Sequence, residues 1–200
     1  MKEKDDKILL AQVSDKIEMC ENKNKIEYTD FLNMHQKVIS QEILKMQKEE
    51  NYTFFTPCEE AEKLVLVVYP DKYAELFEQN KYNYSNIAEV IRIKIPKENK
   101  EKYVHKDYLS GVMKLGVRRE KIGDILVRKN GADIIIIKDV EEYLLTNLGE
   151  LTRFSKAQIE TKQISELEPS EVITQKLQII IPQMRLDCIV SESIRCSRTN

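Results

Sequence analysis

Long apolar stretches are missing from this chain. The longest, Leu64 to Tyr69, falls far short of the roughly 20 residues that cross a bilayer as a helix, which argues against a membrane span. The opening residues, Met1 to Lys7, are charged and lack the apolar centre of a secretory signal, so a cytoplasmic location is expected. Cysteine is scarce and scattered. Cys20, Cys58, Cys188 and Cys196 show no CxxC spacing, and the only histidines are His35 and His105, so no zinc pattern assembles and free, reduced thiols are expected. Glycine occurs five times, without a Gly-rich phosphate fingerprint. Positive charge is not in excess: the formal net charge is -2 and the pI about 5.9. No global basic field draws nucleic acid, and any RNA contact must come from local patches. His105 has no nearby serine or cysteine to activate, and Glu120 and Asp124 read as hydrogen-bonded caps at a helix-to-strand turn rather than a carboxylate dyad. We therefore expect no catalytic residue, metal, cofactor or small-molecule substrate. Internal repeats and low-complexity tracts are absent.

What is present is a β-hairpin around which the rest can be ordered. Asp124 to Val127 and Asp133 to Ile137 are β-rich and flank Asn130-Gly131, a pair that tolerates the positive φ of a tight turn. With those two as turn residues, Arg128 faces Asp133 and Val127 faces Ile134, which adds a cross-strand ion pair. Ile134 to Ile137 leave the second strand no polar side, so both faces of the sheet must be covered there. The chain's 200 residues, 42% of them hydrophobic and 33% charged, suffice for one large or two small domains.

Taken in order, Leu9, Val13, Ile17 and Cys20 form one helical stripe. A second helix runs from an N-cap at Asp30 with Leu32, Ile39, Ile43 and Met46 inward, and the two helices pair. Strands at Tyr52 to Phe55 and Leu64 to Tyr69 flank a turn of helix at Cys58 to Glu62, and a helix follows at Lys72 to Gln79. Residues 1–84 thus read as an N-terminal α/β unit, with the boundary in the polar, tyrosine-bearing stretch Lys81 to Asn86. Next come a strand with Ile91, Ile93 and Ile95 alternating with Arg92 and Lys94, a helix from Asp107 stopped at Gly116, and the hairpin. Asp139 and Glu142 then form a capping box for a helix with Val140, Tyr143, Leu144 and Leu148 inward, and a last strand spans Ser155 to Thr161.

This order, βαββαβ over residues 85–166, is the ferredoxin-like arrangement of RNA-recognition-motif domains, and the whole is of the α+β class. Its first and third strands are central and its second and fourth lie at the edges. The half carrying Arg92, Lys94 and Lys156 has a polar outer face, whereas the apolar hairpin half needs the N-terminal unit as a roof. The aromatic stacking platform of an ordinary RNA-recognition motif is missing, because isoleucines occupy the central strands. Residues 167–200 read as a connector with Pro169 and Pro182, then short helical stretches from Met184 and Cys196.

The candidate RNA contacts are local. Arg118, Arg119 and Lys121, with Lys114 before them, form a basic knot between helix and hairpin. Two roles stand side by side for it: compensation of the helix's negative end, worth about 0.3–1 kcal/mol, and phosphate contact. For Arg92, Lys94 and Lys156 a solvated sheet face is the first reading and a secondary RNA face the second. Tyr82, Tyr84 and Tyr103 are read as packing groups, and Gly111, inside a helix, as a mark of close packing.

Two stretches also carry a resemblance. Lys106-Asp107-Tyr108-Leu109-Ser110-Gly111, followed by Leu115-Gly116-Val117-Arg118-Arg119-Glu120-Lys121-Ile122-Gly123-Asp124-Ile125-Leu126-Val127, resembles the signature of the YlmH family of bacterial RNA-binding proteins. Thr29 to Leu32 and Glu60-Ala61-Glu62 resemble that family's N-terminal unit. Arg185-Leu186-Asp187 with Ser197-Arg198-Thr199 resembles the opening of its C-terminal S-four domain, most of which this sequence lacks. The resemblance implies a cytosolic, non-catalytic protein that contacts structured rRNA or tRNA on the large ribosomal subunit during translation quality control, with Arg185, Ser197, Arg198 and Thr199 among the RNA contacts. It also implies a gene neighbourhood of division genes. The alternatives are a protein-binding division factor and the remnant of an S-four-containing RNA-modifying enzyme, since Arg185-Leu186-Asp187 echoes pseudouridine synthases. Asp187 reads better as a helix cap.

Overall fold

The computed structural model describes residues 2–59, 61–96 and 103–168. Arg185, Asp187, Cys188, Cys196, Ser197, Arg198 and Thr199, the connector beyond residue 168, and Glu60 lie outside the described residues. The class is α+β, with two antiparallel sheets.

Helix α1 (Lys2–Lys23) forms as its stripe requires: Leu9, Val13, Ile17 and Cys20 are all buried. They meet Ile43 and Leu44 of α2 (Met34–Gln47) and Leu66 and Val68 of strand β3 (Val65–Val68). The cap of α2 is Asn33 rather than the expected Asp30. The Asn33 side chain accepts from the Gln36 N–H and the Gln36 side chain from the Asn33 N–H, both at 2.9 Å. The buried stripe of α2 centres on Ser40 rather than Ile39, which leaves Met46, expected inside, 71% exposed. Strands β1 (Glu27–Tyr28) and β2 (Tyr52–Phe55) pair on either side of β3. Cys58 and Glu59 turn without forming the expected helix. After β3, a 3-10 turn leads into the short α3 (Ala74–Glu78).

The second sheet has the order β5-β6-β4-β7, made of β4 (Ala88–Lys94), β5 (Ile122–Arg128), β6 (Gly131–Ile137) and β7 (Gln158–Lys162). Its first and third strands are central and its second and fourth lie at the edges. The four isoleucines of β6 divide by parity, as a strand's alternation requires. Ile134 and Ile136 pack with Tyr108 and Val112 of α4 (His105–Lys114), Leu144 of α5 (Glu141–Asn147), and Leu148 and Phe154. Ile135 and Ile137 pack with Phe31, Phe55, Val65 and Val67 of the N-terminal region. Both faces are covered, and the roof comes from where it was expected. Four layers result: α1 with α2, the small sheet, the large sheet, and α4 with α5.

The hairpin turn lies one residue earlier than expected, which shifts the cross-strand pairing by two residues and keeps each side chain on its expected face. The pairs are Arg128 with Gly131, Val127 with Ala132 and Ile125 with Ile134, so the turn is Lys129-Asn130 and Gly131 opens β6. The reason lies on the other side of β6. Gly131 pairs with Lys94 at φ +149°, and a Cβ there would stand 1.8 Å from the Ile93 carbonyl oxygen. The glycine serves the close approach of β4 rather than the turn.

Three further expectations change. Tyr143, expected inward, is 48% exposed and its hydroxyl donates to the Leu115 carbonyl at 2.9 Å. Asp139 caps nothing; α5 follows a 3-10 turn, and the Asp139 carboxylate is engaged elsewhere. Strand β7 begins at Gln158 instead of Ser155, because the preceding residues curl so that Phe154 drops fully into the core. There Phe154 stacks on Tyr108 and lies against Gly111, where a Cβ would approach its Cε2 to 2.5 Å. Gly111 marks close packing, as read from the sequence.

Candidate nucleic-acid interface

The basic knot sits at the seam between the two sheets. Lys121 is only 18% exposed at its side chain, and its Nζ lies 2.7 Å from Asp30 Oδ1 and 2.6 Å from Asp139 Oδ2. Burial alone would lower its pKa, but the hydrogen bonds to Asp139 and Asp30 prevail and hold it above the ordinary lysine value. Arg118 reaches Asp30 Oδ2 at 2.8 Å with one guanidinium nitrogen and stays 62% exposed. Arg119 donates from Nη1 to the Ile122 carbonyl at 2.8 Å, an acceptor it shares with Lys63 Nζ at 2.7 Å. Lys63 is pushed down to about 8, by burial first and by the Arg119 charge second; Asp124 and Glu120 offset part of this. Backbone bonds join the same seam: the Phe31 N–H donates to the Glu120 carbonyl at 2.9 Å, and the Lys63 N–H to Asp124 Oδ2 at 3.1 Å.

Asp30, expected as a helix cap, is thus the anion that ties the knot to the N-terminal region. Two of the three cations are committed to the fold, Lys121 by a pair of carboxylates and Arg119 by a carbonyl. Arg118 keeps an open face, and Lys114 stands exposed at the end of α4. Lys63 and Asp30 were not singled out as partners of the knot. Asp30 and Arg118 lie 88 positions apart, and periodicity reports only neighbours in sequence.

The second candidate face is not simply solvated. Arg92, with a side chain 14% exposed, donates through Nε and Nη2 to the two carboxylate oxygens of Asp133 at 2.5 and 2.8 Å. Arg128 Nε donates to Asp133 Oδ2 at 2.9 Å. The cross-strand pair read from the sequence therefore forms, diagonally instead of directly across. Burial would raise the Asp133 pKa, but the hydrogen bonds from both arginines outweigh it and hold the carboxyl below its ordinary range. Lys94 pairs with Glu160 at 2.7 Å on the facing strand. Lys156 lies in the turns ahead of β7, exposed and off the sheet. The remaining half of this face is roofed: Val90 and Ile135 are buried against Phe55 and Val65, and Ile164 and Leu167 pack on the same cluster. Bases cannot stack flat on the central strands there.

Tyr82 and Tyr84 pack as expected, with Tyr82 stacked on Phe77 at 4.5 Å and Tyr84 on Phe55 at 4.1 Å between ring centroids. Among the described residues, no cluster of three or more His, Cys, Asp or Glu side chains is placed to hold a metal ion. No described helix is long and apolar enough to cross a membrane.

Residues 78–166 match the family model described as "Putative RNA-binding domain in YlmH". Over 200 residues, 98% of this chain and 72% of the relative, the chain is 21% identical to the "Ribosome-associated protein quality control protein P2" of Bacillus subtilis (strain 168). Its fold is similar to that of the solved "Cell division protein ylmH from Streptococcus pneumoniae", with a TM-score of 0.58 and 20% identity over 81% of this chain and 93% of that one. The matched segment holds the hairpin, the basic knot and all four strands of the larger sheet, and the resemblance to the YlmH family read from the sequence is found in the family model, in the relative and in the solved structure alike.

Proposed function

We propose that the chain is a non-catalytic, cytoplasmic RNA-binding protein that contacts structured rRNA or tRNA on the large ribosomal subunit in translation quality control. The observation that carries this reading is the match of residues 78–166 to a family model described as RNA-binding. The name of the Bacillus subtilis relative supplies the ribosome and the quality-control role. In this reading residues 85–166 are a ferredoxin-like, RNA-recognition-motif-like domain, residues 1–84 its roof, and residues 167–200 a connector and the start of an S-four domain. The strand order β5-β6-β4-β7, with both central strands antiparallel to their neighbours, supports the middle assignment.

In this reading the cations that keep open donors are the ones that reach RNA. Arg118 and Lys114, exposed beside the seam, offer phosphate contacts; Arg119 adds its remaining donors, and Lys121 positions the group by holding Asp30 and Asp139. On the sheet, Arg92 and Lys94 would give guanidinium and ammonium contacts only beside their carboxylate partners, with Lys156 at the margin. Arg185, Ser197, Arg198 and Thr199 complete the proposed set. RNA binding at several salt concentrations tests it: Arg118→Ala/Lys114→Ala should flatten the log–log salt dependence by about 0.9 per lost phosphate contact on duplex, less on single strands. An unchanged slope would remove this rim from the interface.

The name of the Streptococcus pneumoniae neighbour favours a second reading, a protein-binding factor in cell division. Sedimentation with ribosomal subunits separates the two readings: the first places the chain with the large subunit, the second leaves it at the top of the gradient and recovers it with division proteins in a pull-down.

A further inference from the structure

A cavity of about 240 Å³ opens at the margin of the large sheet, lined by Phe55, Tyr82, Asn83, Tyr84, Gln163 and Ser165 among others. Its lining comes from the end of β2, the turn ahead of β4, and the 3-10 turn that follows β7. The aromatic side is prearranged. Tyr84 stacks on Phe55 with planes 8° apart, Tyr82 meets Tyr84 edge-on at 5.3 Å, and Phe77 backs Tyr82.

The polar side has unused capacity. Asn83 Oδ1 accepts from the Ser85 N–H at 3.0 Å and from the Ser85 hydroxyl, and no described residue accepts from the Asn83 Nδ2 group. The Gln163 side chain accepts the Glu166 N–H in a reciprocal cap, and its Nε2 donors likewise meet no described acceptor. A cation stands close by: Lys138 Nζ donates to the Ser85 carbonyl at 3.1 Å, with Glu89 Oε2 at 3.5 Å, and its side chain remains 43% exposed.

We infer that this cavity takes one unpaired nucleobase of a single-stranded RNA segment. The base lies against the Tyr82–Tyr84 side with its edge toward the Asn83 and Gln163 amides, and the adjoining phosphate lies toward Lys138. This rests on the RNA-binding reading and adds to it which part of the RNA is read. The size suits one ring system, since it falls below the roughly 300–1,000 Å³ of sites for drug-sized ligands. A base needs both an aromatic face and amide donors and acceptors at its edge, and single-stranded RNA is recognised through that combination. Every lining residue but Phe55 falls within 78–166, the stretch matched by the RNA-binding family model. With the ordinary stacking surface roofed over, the reachable aromatics have moved to the edge of the sheet.

The test compares hexaadenylate and hexauridylate with a hexamer of abasic ribose phosphates, which keeps every phosphate and lacks every base, on the full 200-residue chain. Two variants accompany the parent: Ser165→Phe, which fills the cavity from an exposed position, and Asn83→Ala/Gln163→Ala, which removes the edge amides. The parent should bind at least one base-bearing hexamer about fivefold or more tightly than the abasic one, the lower range for stacking one base on an aromatic ring. Ser165→Phe should erase that preference while leaving abasic affinity unchanged, and the amide variant should reduce it. Equal parent affinities, or a preference untouched by Ser165→Phe, overturn the inference and leave RNA binding standing. Failure of all three hexamers to bind overturns the inference, while contact with structured RNA is judged separately by the salt titration. Movement of the Tyr82 and Tyr84 ring resonances by a tyrosine-bearing peptide but by no hexamer assigns the cavity to a protein partner instead.

Discussion

Asp133 offers the sharpest test of how the large sheet is held. Its side chain is wholly buried, whereas the arginine side chains that clasp it keep 14% and 21% exposure. Truncation by Asp133→Ala leaves two partly buried guanidinium groups without their shared acceptor. Removing one partner of a buried pair costs about 3–5 kcal/mol, and the residual exposure of the arginines places this case near the lower end. For a folded unit of about 150–250 residues, a loss of about 3 kcal/mol lowers Tm by roughly 6–12 °C. Replacing Arg92, Asp133 and Arg128 together by Met, Leu and Met should restore most of the loss, because an apolar substitute carries no desolvation cost. The pH arm has a definite sign. The folded pKa of Asp133 is depressed, so its contribution is fully present above the unfolded value near 3.9 and is lost as pH falls through the folded value. Below about pH 4 the parent should therefore lose stability more steeply than Asp133→Asn. Calorimetry and urea titration between pH 2.5 and 7, estimates set around that reference pKa, supply both readings. A Tm for Asp133→Ala within about 2 °C of the parent, or parallel acid limbs for parent and Asp133→Asn, would refute the reasoning.

Ile135→Asp should unfold the unit, since an unpaired carboxylate buried between the two sheets costs several kcal/mol; a cooperative melt close to the parent's counts against the roofed hairpin. Lys121→Ala should destabilise by roughly 1–3 kcal/mol in urea titration, less than a fully buried pair because Asp139 is about half exposed. Gly131→Ala should cost more than Gly111→Ala, because the first drives a Cβ to 1.8 Å from a backbone oxygen and the second to 2.5 Å from a ring carbon. Gly111→Ala should still lose about 1–3 kcal/mol to overpacking against Phe154, outweighing the roughly 1 kcal/mol of helix propensity it gains. Incubation of rRNA with the purified chain should yield no pseudouridine; its appearance, lost on Asp187→Ala, would make the chain an enzyme.

The elements and their faces were legible in the sequence because alternation and helical spacing are local. The stripe Leu9, Val13, Ile17 and Cys20 named the buried side of α1, and the Ile134 to Ile137 run announced a strand covered on both sides. Even the Arg128–Asp133 pair could be read, since five positions across a turn are still neighbours. What tertiary structure alone decided were the partners. Asp30 reads as an N-cap by residue type, yet cations 88 and 91 positions away claim its carboxylate, and Asn33 caps the helix instead. Asn130-Gly131 reads as a turn by local preference, yet the carbonyl of Ile93 on a third strand needs Gly131 within the ladder, and the turn moves back by one residue and the pairing by two. The cavity beside Tyr84 likewise needs β2, the turn ahead of β4 and the segment after β7 in one place. A side chain's propensity is set by its own backbone, but its electrostatic and steric partners are set by whichever distant segments the packed core brings within a few ångströms.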